Sequence, residues 1–373
     1  MLNLLKHFNA KKENVFCSYH GISDPRWTPP RYDALAEEGF QKNVFAFRAI
    51  SLIARGIASI PAVIKNRDDK TEDEFLTKII KRPNESQTIS SFLENLVGDL
   101  LISGNAFVHC DRENNLRCLR ADRVQIIPNK SRTAAESYAY CVDASKFSIE
   151  KRDLLHVKFF NPLNDWYGFG PLQAAARTID QYNEMAKHNI SILQNGGRPS
   201  GCLTVKNVES LTDQQRRRMR ANIRDIYEGT TNAGRILILE GGFEWKEMGL
   251  SPKDLDFNAG KNIAAREIAQ AFGVPPILLG IRGDSAFAGY KEARLHLWED
   301  TIIPLAEFIR SEFGNWLSVR FNRPVEMIFD LDATHALISR REDLWNKVSN
   351  ADFLTTNEKR EALGYSPIGK GSK

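Results

Sequence analysis

The chain of 373 residues is poor in cysteine, and its cysteines follow no pattern. Cys17, Cys110, Cys118, Cys141 and Cys202 form no C-x-x-C pair and are odd in number. That argues for a reducing compartment and against a disulfide framework. The seven histidines contain no H-x-x-x-H spacing, and His109–Cys110 stands alone. No metal site and no cofactor is therefore expected. Also missing are G-x-x-x-x-G-K-[ST], G-x-S-x-G and the kinase signatures, which removes the common phosphate-loop and nucleophile-elbow chemistries. The phrase GFGPLQ lacks the third glycine of a dinucleotide loop and reads as a helix start. Long apolar runs are absent too. The nearest, residues 44–64, is interrupted by Arg48 and Arg55 and closed by Pro61. It reads as a buried amphipathic helix running into a strand, not as a membrane span. The apolar run in MLNLLKHFNAKKEN is too short for a secretory signal, so a soluble protein without a membrane partner is expected. Nor is there an excess of one charge: 51 Lys and Arg stand against 47 Asp and Glu, a net of +4. Averaged over the chain this is too weak to announce a nucleic-acid binder, so any such role requires local clustering.

The chain does have the apolar content (42%) and length for two or three domains with real cores. Residues 1–40, rich in proline, charge and aromatics, read as an arm that packs on something else or is disordered. A helix follows to residue 60, then a strand at AVIKN (62–66) and a solvated charged turn, NRDDKTEDE. Phe92, Leu93, Leu96, Val97, Leu100 and Leu101 recur at helical spacing, and Gly104-Asn105 breaks the pattern. Alternation in NAFVHC and RVQII marks strands, joined by YAYCVD and DLLHVKFF. The fold class is thus α+β.

Pro171 opens a helix of about 25 residues that Gly196-Gly197 and Pro199 stop. Its apolar stripe (Ile179, Tyr182, Met185, Ala186, Ile190, Leu193) is thin, which suits a helix packed against neighbours better than one buried in its own core. A small α/β insert follows: a strand at CLTV, a helix at LTDQQRRRMRANIRDIYEG, and strands at RILILEGG and FEWKEM. Helical character returns at residue 261. Beyond the loop AFGVPPILLGIRGDSAFAGYKEA (271–293) lies a long amphipathic helix that Pro304 should kink. EMIFDLD is a strand, and Thr355 with Glu358 makes a capping box in the tail.

Several local features admit two readings. Arg217, Arg220 and Arg224 share one helical stripe, while Arg216 and Arg218 point elsewhere. The stripe suits a DNA contact and suits equally a solvated face or ion pairs to a neighbouring subunit. Lys187 and His188, on the long helix, read most simply as facing solvent or a neighbour. Asp330, Asp332 and His335 imitate a metal-nuclease cluster, but no further carboxylate or lysine completes it, and the end of a strand is the simpler reading. Two function classes remain: a structural protein with no chemistry of its own, or a metal-dependent nuclease with a divergent site at Asp330 and Asp332.

The ordered phrases RPNESQTISSFLENLVGDLLISGNAFV, GFGPLQAA, ILQNGGRPSGCLTV, REIAQAFGVPPILLG and TTNEKREALGYSPI resemble a phage portal protein of the HK97 type. Such portals also occur in prophages and gene transfer agents. The resemblance spans most of residues 42–368 and leaves the arm outside. It implies a ring, usually of twelve subunits, at one capsid vertex, with no catalysis of its own. Double-stranded DNA passes through the axis, and terminase, a head–tail adaptor and the major capsid protein dock on the ring. The implied location is the virion or a virus-like particle, assembled in the bacterial host cytoplasm. The implied organisation is an arm (1–40), a wing (41–170 and 291–348), a stem helix (171–196) and a clip (197–257). A returning stem helix (258–278), a tunnel loop (279–290) and a short crown or tail (349–373) complete it. Arg282, Gly283, Asp284, Ser285, Ala286, Phe287, Ala288 and Gly289 would form the tunnel loop. Small residues there give mobility without strong phosphate contacts, which would stall a moving polyanion. Lys187, Lys291, Arg217, Arg220 and Arg224 are the candidate DNA-facing cations.

Overall fold

The computed structural model describes residues 27–194, 201–205, 212–215, 217–218, 221, 243–247, 257–281, 287–334, 337–363, 365 and 368. Helix α1 (Tyr32–Leu35) and a π-helical turn (Ala36–Gln41) lead into α2 (Val44–Ala58). Asn43 caps α2, its side-chain oxygen accepting from the Phe45 and Ala46 amides at 3.1 and 3.0 Å. From Tyr32 onward the N-terminal stretch is therefore helical, and Leu35, only 2% exposed, belongs to the core. The polar composition around it hides this single anchor.

Strand β1 (Ala62–Asn66) pairs antiparallel with β10 (Val325–Phe329), Ala62 opposite Phe329, which joins segments far apart in the chain. The charged turn after β1 is solvated as expected, but its Asp73 also caps a helix, α3 (Glu74–Lys81), that the periodicity did not announce. Eight residues are too few to establish a period. Helix α4 (Ile89–Ser103) starts at Thr88 and ends at Gly104, which is left-handed at φ 73°. All six positions that recur at helical spacing are buried. Strand β2 (Asn105–Cys110) forms the centre of a three-stranded sheet between β3 (Leu116–Leu119) and β7 (Leu154–Lys158). A second sheet has the order β4 (Val124–Pro128), β5 (Ala135–Val142), β6 (Ser145–Glu150). Strand β6 carries a weak signal because only Ile149 in it is buried. Phe107, Leu119, Val124, Tyr138, Ile149 and Leu154 make a small core of their own among these strands.

Helix α5 (Pro171–Gln194) is followed by the antiparallel pair β8 (Gly201–Val205) and β9 (Phe243–Glu247), and then by α6 (Phe257–Ala271). The expected strand at RILILEGG lies outside the described residues. The long C-terminal helix is built as α7 (Phe287–His296), a π-helical turn (Leu297–Ile302) and α8 (Ile303–Phe321). Pro304 has no N–H for the Asp300 carbonyl one turn earlier, and the ladder absorbs this as a π turn just before the proline. Trp298 and Trp316 are buried in α7–α8, and Trp316 Nε1 donates to the Arg152 carbonyl at 3.0 Å. The tail carries α9 (Ile338–Ser349) and α10 (Thr356–Ala362), and the Thr355–Glu358 capping box is present with both of its hydrogen bonds.

Candidate functional site: a helix pair and the loop it carries

The site rests on a joint where α5 leaves the sheets. Gly104, Gly168 and Gly170 bring three backbone segments into direct contact. A β-carbon on Gly168 would lie 2.1 Å from the Gly104 carbonyl oxygen, and one on Gly170 would lie 2.5 Å from the Gly104 nitrogen. Asn105, buried at the crossing, makes every bond its amide offers there. Its oxygen accepts from the Gly168 amide (2.7 Å) and from His156 Nε2 (3.1 Å). Its nitrogen donates to the carbonyls of Ser103 (2.7 Å) and Gly168 (3.3 Å). Asn105 Oδ1 can only accept, so His156 carries its proton on Nε2. That ring stacks on Phe107, with centroids 4.2 Å apart, and burial pushes its pKa down to about 3, with Lys158 adding to the effect.

From this joint α5 runs 24 residues, about 36 Å. Its first half is held by the rest of the fold. Leu172, Ala175 and Ile179 are in the core, and buried Asn183 receives the Asn43 amide at 3.3 Å and donates to the Glu38 carbonyl at 3.0 Å. Asp180 accepts the Thr28 amide at 2.8 Å, and Arg177 lies over the Trp27 ring. Trp27 and Thr28, the first described residues, thus pack on α5. Toward the end of α5, Ile190 and Leu193 are 52% and 65% exposed.

Helix α6 returns antiparallel along α5. Thr178 meets Glu267 (3.2 Å), Lys261 lies over the Tyr182 ring, Gly260 meets Met185, and His188 packs on Phe257 with centroids 5.0 Å apart. Helix α6 ends in a Schellman motif. The Val274 amide bonds to the Ala269 carbonyl (2.9 Å), and that of left-handed Gly273 (φ 65°) to Gln270 (3.0 Å). Gly273, and not the two prolines, therefore terminates this helix. Pro275 and Pro276 instead open a 3-10 turn, Pro276–Leu279, which left-handed Gly280 closes. Thr301, in the π turn, donates to the Gly273 carbonyl at 2.7 Å and so ties the helix end to the C-terminal helix. Ile281 is buried with Ala265 and Ala269, against Phe45 and Leu279.

The expected tunnel loop, residues 279–290, is thereby narrowed from both sides. Leu279 and Gly280 belong to the 3-10 turn and its cap, and Phe287, Ala288 and Gly289 form the first turn of α7. Arg282, Gly283, Asp284, Ser285 and Ala286 lie outside the described residues. The described residues on either side, 279–281 and 287–290, are set by a 3-10 turn and by the start of α7.

Of the candidate cations, Lys187 lies on the exposed face of α5 and bonds Glu184 at 2.7 Å, which raises its pKa. Its charge is already partly compensated within the chain. Lys291 is exposed on α7, and Arg217 is exposed on a helical stretch of the insert. Arg220 and Arg224 lie outside the described residues. Asp330 uses its carboxylate to accept the Asp332 and Ala333 amides, both at 3.1 Å, so it closes a turn at the end of β10. His335 lies outside the described residues. Sequence reasoning missed the Gly104–Asn105–Gly168–Gly170 joint and the Gly273 clasp. The signal available was the placement of glycines in SGN, GFGP and AFGVPP, which only a known partner segment would have made readable.

The class of protein this arrangement defines is one with small antiparallel sheets packed with helices and a long antiparallel helix pair that leaves them and returns. The model of the phage portal protein family matches residues 45–364. An uncharacterized protein of Rickettsia bellii (strain RML369-C) is 38% identical over 344 residues, covering 90% of this chain and 89% of that one. The portal protein of Enterobacteria phage HK97 is 24% identical over 348 residues, covering 87% and 79%. Among solved structures, a chain in the neck of an empty gene transfer agent particle, computed with C6 symmetry, has a TM-score of 0.72 and 35% identity, over 94% of this chain and 98% of that one. One in the neck of a native particle, computed with C12 symmetry, has 0.70 and 34%, over 93% and 97%. This chain belongs to the phage portal protein family, and its α+β architecture is the portal fold that the resemblance implied.

Proposed function

We propose that the chain is the portal subunit of a phage, prophage or gene transfer agent capsid: a structural protein that forms a ring at one vertex and conducts double-stranded DNA in during packaging and out during delivery. The observation that carries this reading is the match to neck chains of gene transfer agent particles at 34–35% identity over nearly the whole chain. The C12 neck supports a ring of twelve. In this reading the sheets with α2, α4 and α8 form the wing, α5 and α6 the stem, and the insert between them the clip. Residues 282–286, between Ile281 and Phe287, line the channel, and α9 with α10 supplies a short crown. The exposed apolar end of α5 supports contacts between neighbouring stems. Terminase, a head–tail adaptor and the major capsid protein are the partners, and assembly takes place in the host cytoplasm before the ring enters the particle. The chain does no catalysis in this reading, because Asp330 is engaged in its own turn and no observation favours a nuclease site.

Mass measurement in native buffer tests the ring. Twelve subunits of 42.3 kDa give about half a megadalton. A second test shortens the loop by replacing Gly283–Ala286 with two glycines. Ring yield should stay near the parental level, because closure entropy depends weakly on loop length, while DNA retained per particle falls. Lost rings with normal packaging per assembled ring would make the loop a structural clasp and refute its placement in the channel.

A further inference from the structure

A cavity of about 360 Å³ opens between α2 and α4, away from the helix pair. That is within the usual size of small-molecule sites, about 300–1,000 Å³. Residue size explains why it exists. Gly98, on the α4 side, leaves room in which an added β-carbon meets nothing within 4 Å. Ile50, Ala54 and Ile102, all buried, give the cavity apolar walls. Two polar groups line the same space with bonding capacity left over. Ser51 is 6% exposed, and its hydroxyl bonds to no described residue. Buried hydroxyls ordinarily have a partner. Asp99 accepts the Tyr32 hydroxyl on Oδ1 at 2.5 Å, while its Oδ2 bonds to no described residue.

The surrounding groups decide which chemistry the cavity accepts. Arg120 at its edge is already engaged: it gives two bonds to Asp122, at 3.1 and 2.7 Å, and lies over the Tyr32 ring. Glu94, also on the wall, accepts Arg55 Nε at 3.0 Å. An anion would meet two carboxylates. A neutral apolar molecule would strip water from the Ser51 hydroxyl and Asp99 Oδ2 and give nothing back. A metal ion does not fit, because among the described residues no three His, Cys, Asp or Glu side chains gather to hold one. A quaternary ammonium has no N–H for either acceptor, and Phe40, the one aromatic ring on the wall, makes no aromatic cage. What fits is a cation that donates hydrogen bonds and carries an apolar stem.

We infer that this cavity binds a primary alkylammonium ion, its N–H groups donating to Asp99 Oδ2 and the Ser51 hydroxyl and its alkyl stem lying along Ile50, Ala54 and Ile102. The site is independent of the portal reading. The groups facing Asp99 are Tyr32, Arg120, Asp122 and Cys118. Burial raises the Tyr32 hydroxyl and the Cys118 thiol and brings the Asp99 carboxyl to about 6, so Asp99 is the one of these that titrates near neutrality. Calorimetry on the full chain with butylammonium chloride at pH 7.5 should give one saturable site, and butanol and tetramethylammonium should give none. At pH 5 about one Asp99 in ten stays ionised, so affinity should fall about tenfold. Asp99→Asn, which keeps an acceptor for Tyr32, should weaken binding about tenfold at pH 7.5 and remove the pH dependence. Gly98→Leu, with folding checked by its melt, fills the cavity and should abolish binding while Asp99 stays in place. No saturable binding of butylammonium overturns the site, and so does equal binding of butanol or tetramethylammonium. Parental affinity in either Asp99→Asn or folded Gly98→Leu would put the ion elsewhere and overturn it as well.

Discussion

Replacing Gly168 with alanine tests whether the joint at the base of α5 is as tight as its geometry implies. The added carbon would lie 2.1 Å from the Gly104 carbonyl oxygen and 2.8 Å from both the nitrogen and the oxygen of Phe159. All three are backbone atoms, so no side-chain rotation relieves the clash. To make room the segments must part by about an ångström or more, the difference from ordinary contact. That strains the Phe159 amide bond to Gly104 (2.9 Å) and the Gly168 amide bond to Asn105 (2.7 Å). Each buried group left unpaired costs about 1–3 kcal/mol, and overpacking costs about as much again. The expected loss is therefore about 3–5 kcal/mol, a large part of the stability of a typical domain. Gly98→Ala is the control. Gly98 sits inside α4, where an added β-carbon meets nothing within 4 Å, and alanine there should stabilise by about 0.5–1 kcal/mol. Urea unfolding of both variants, read as a shift in midpoint at constant slope, measures the two signs together. A Gly168→Ala variant within about 1 kcal/mol of the parent would refute the reasoning, since no arrangement of these segments accepts a side chain without losing a bond.

Two partly buried groups, His156 and Asp99, should respond to acid in opposite directions. His156 is held neutral, its pKa moved from 6.5 to about 3, so its share of the stability is present above pH 6.5 and is lost as pH falls toward 3. At pH 4 the loss is about 3 kcal/mol, and His156→Gln, which keeps a donor for Asn105, should remove it from a series of melts between pH 7.5 and 4. Burial raises the Asp99 carboxyl from 3.8 to about 6, outweighing the Tyr32 hydroxyl that donates to it at 2.5 Å. Its charged form costs stability as pH rises from 3.8 through 6, so Asp99→Asn should stabilise by about 2 kcal/mol at pH 7.5 and by little at pH 4. The same melts check this, and a variant that gains equally at both pH values would refute it. Gly273→Ala should cost about 2 kcal/mol, from the left-handed φ of 65° and from a β-carbon 2.7 Å from the Thr301 hydroxyl. Thermal melting reads it, and Pro275→Ala with Pro276→Ala should cost less, because the Schellman motif closes the helix before them.

The amino-acid sequence by itself determined what depends on near neighbours. The stripe from Phe92 to Leu101 specified α4, Pro171 set the start of α5, and Thr355 with Glu358 set the start of α10, because period and capping act within one or two helical turns. The resemblance to the portal family came from the ordered phrases between RPNESQ and GYSPI, not from period or capping. Only the tertiary structure decided which helix ends and turns carry weight. Leu35 joins the core although its surroundings are polar, since one anchor residue leaves no period to read. Gly104 and Gly168 are obligatory because segments more than sixty residues apart meet there, and a glycine carries no record of what will approach it. Folding pairs Lys187 with Glu184 on the exposed face of α5, and it sets a π turn just before Pro304. Phe160 and Leu163 look like core residues in the sequence. Folding leaves them in water, because the Asn161 and Asn164 bonds turn the backbone outward before either side chain can reach the interior.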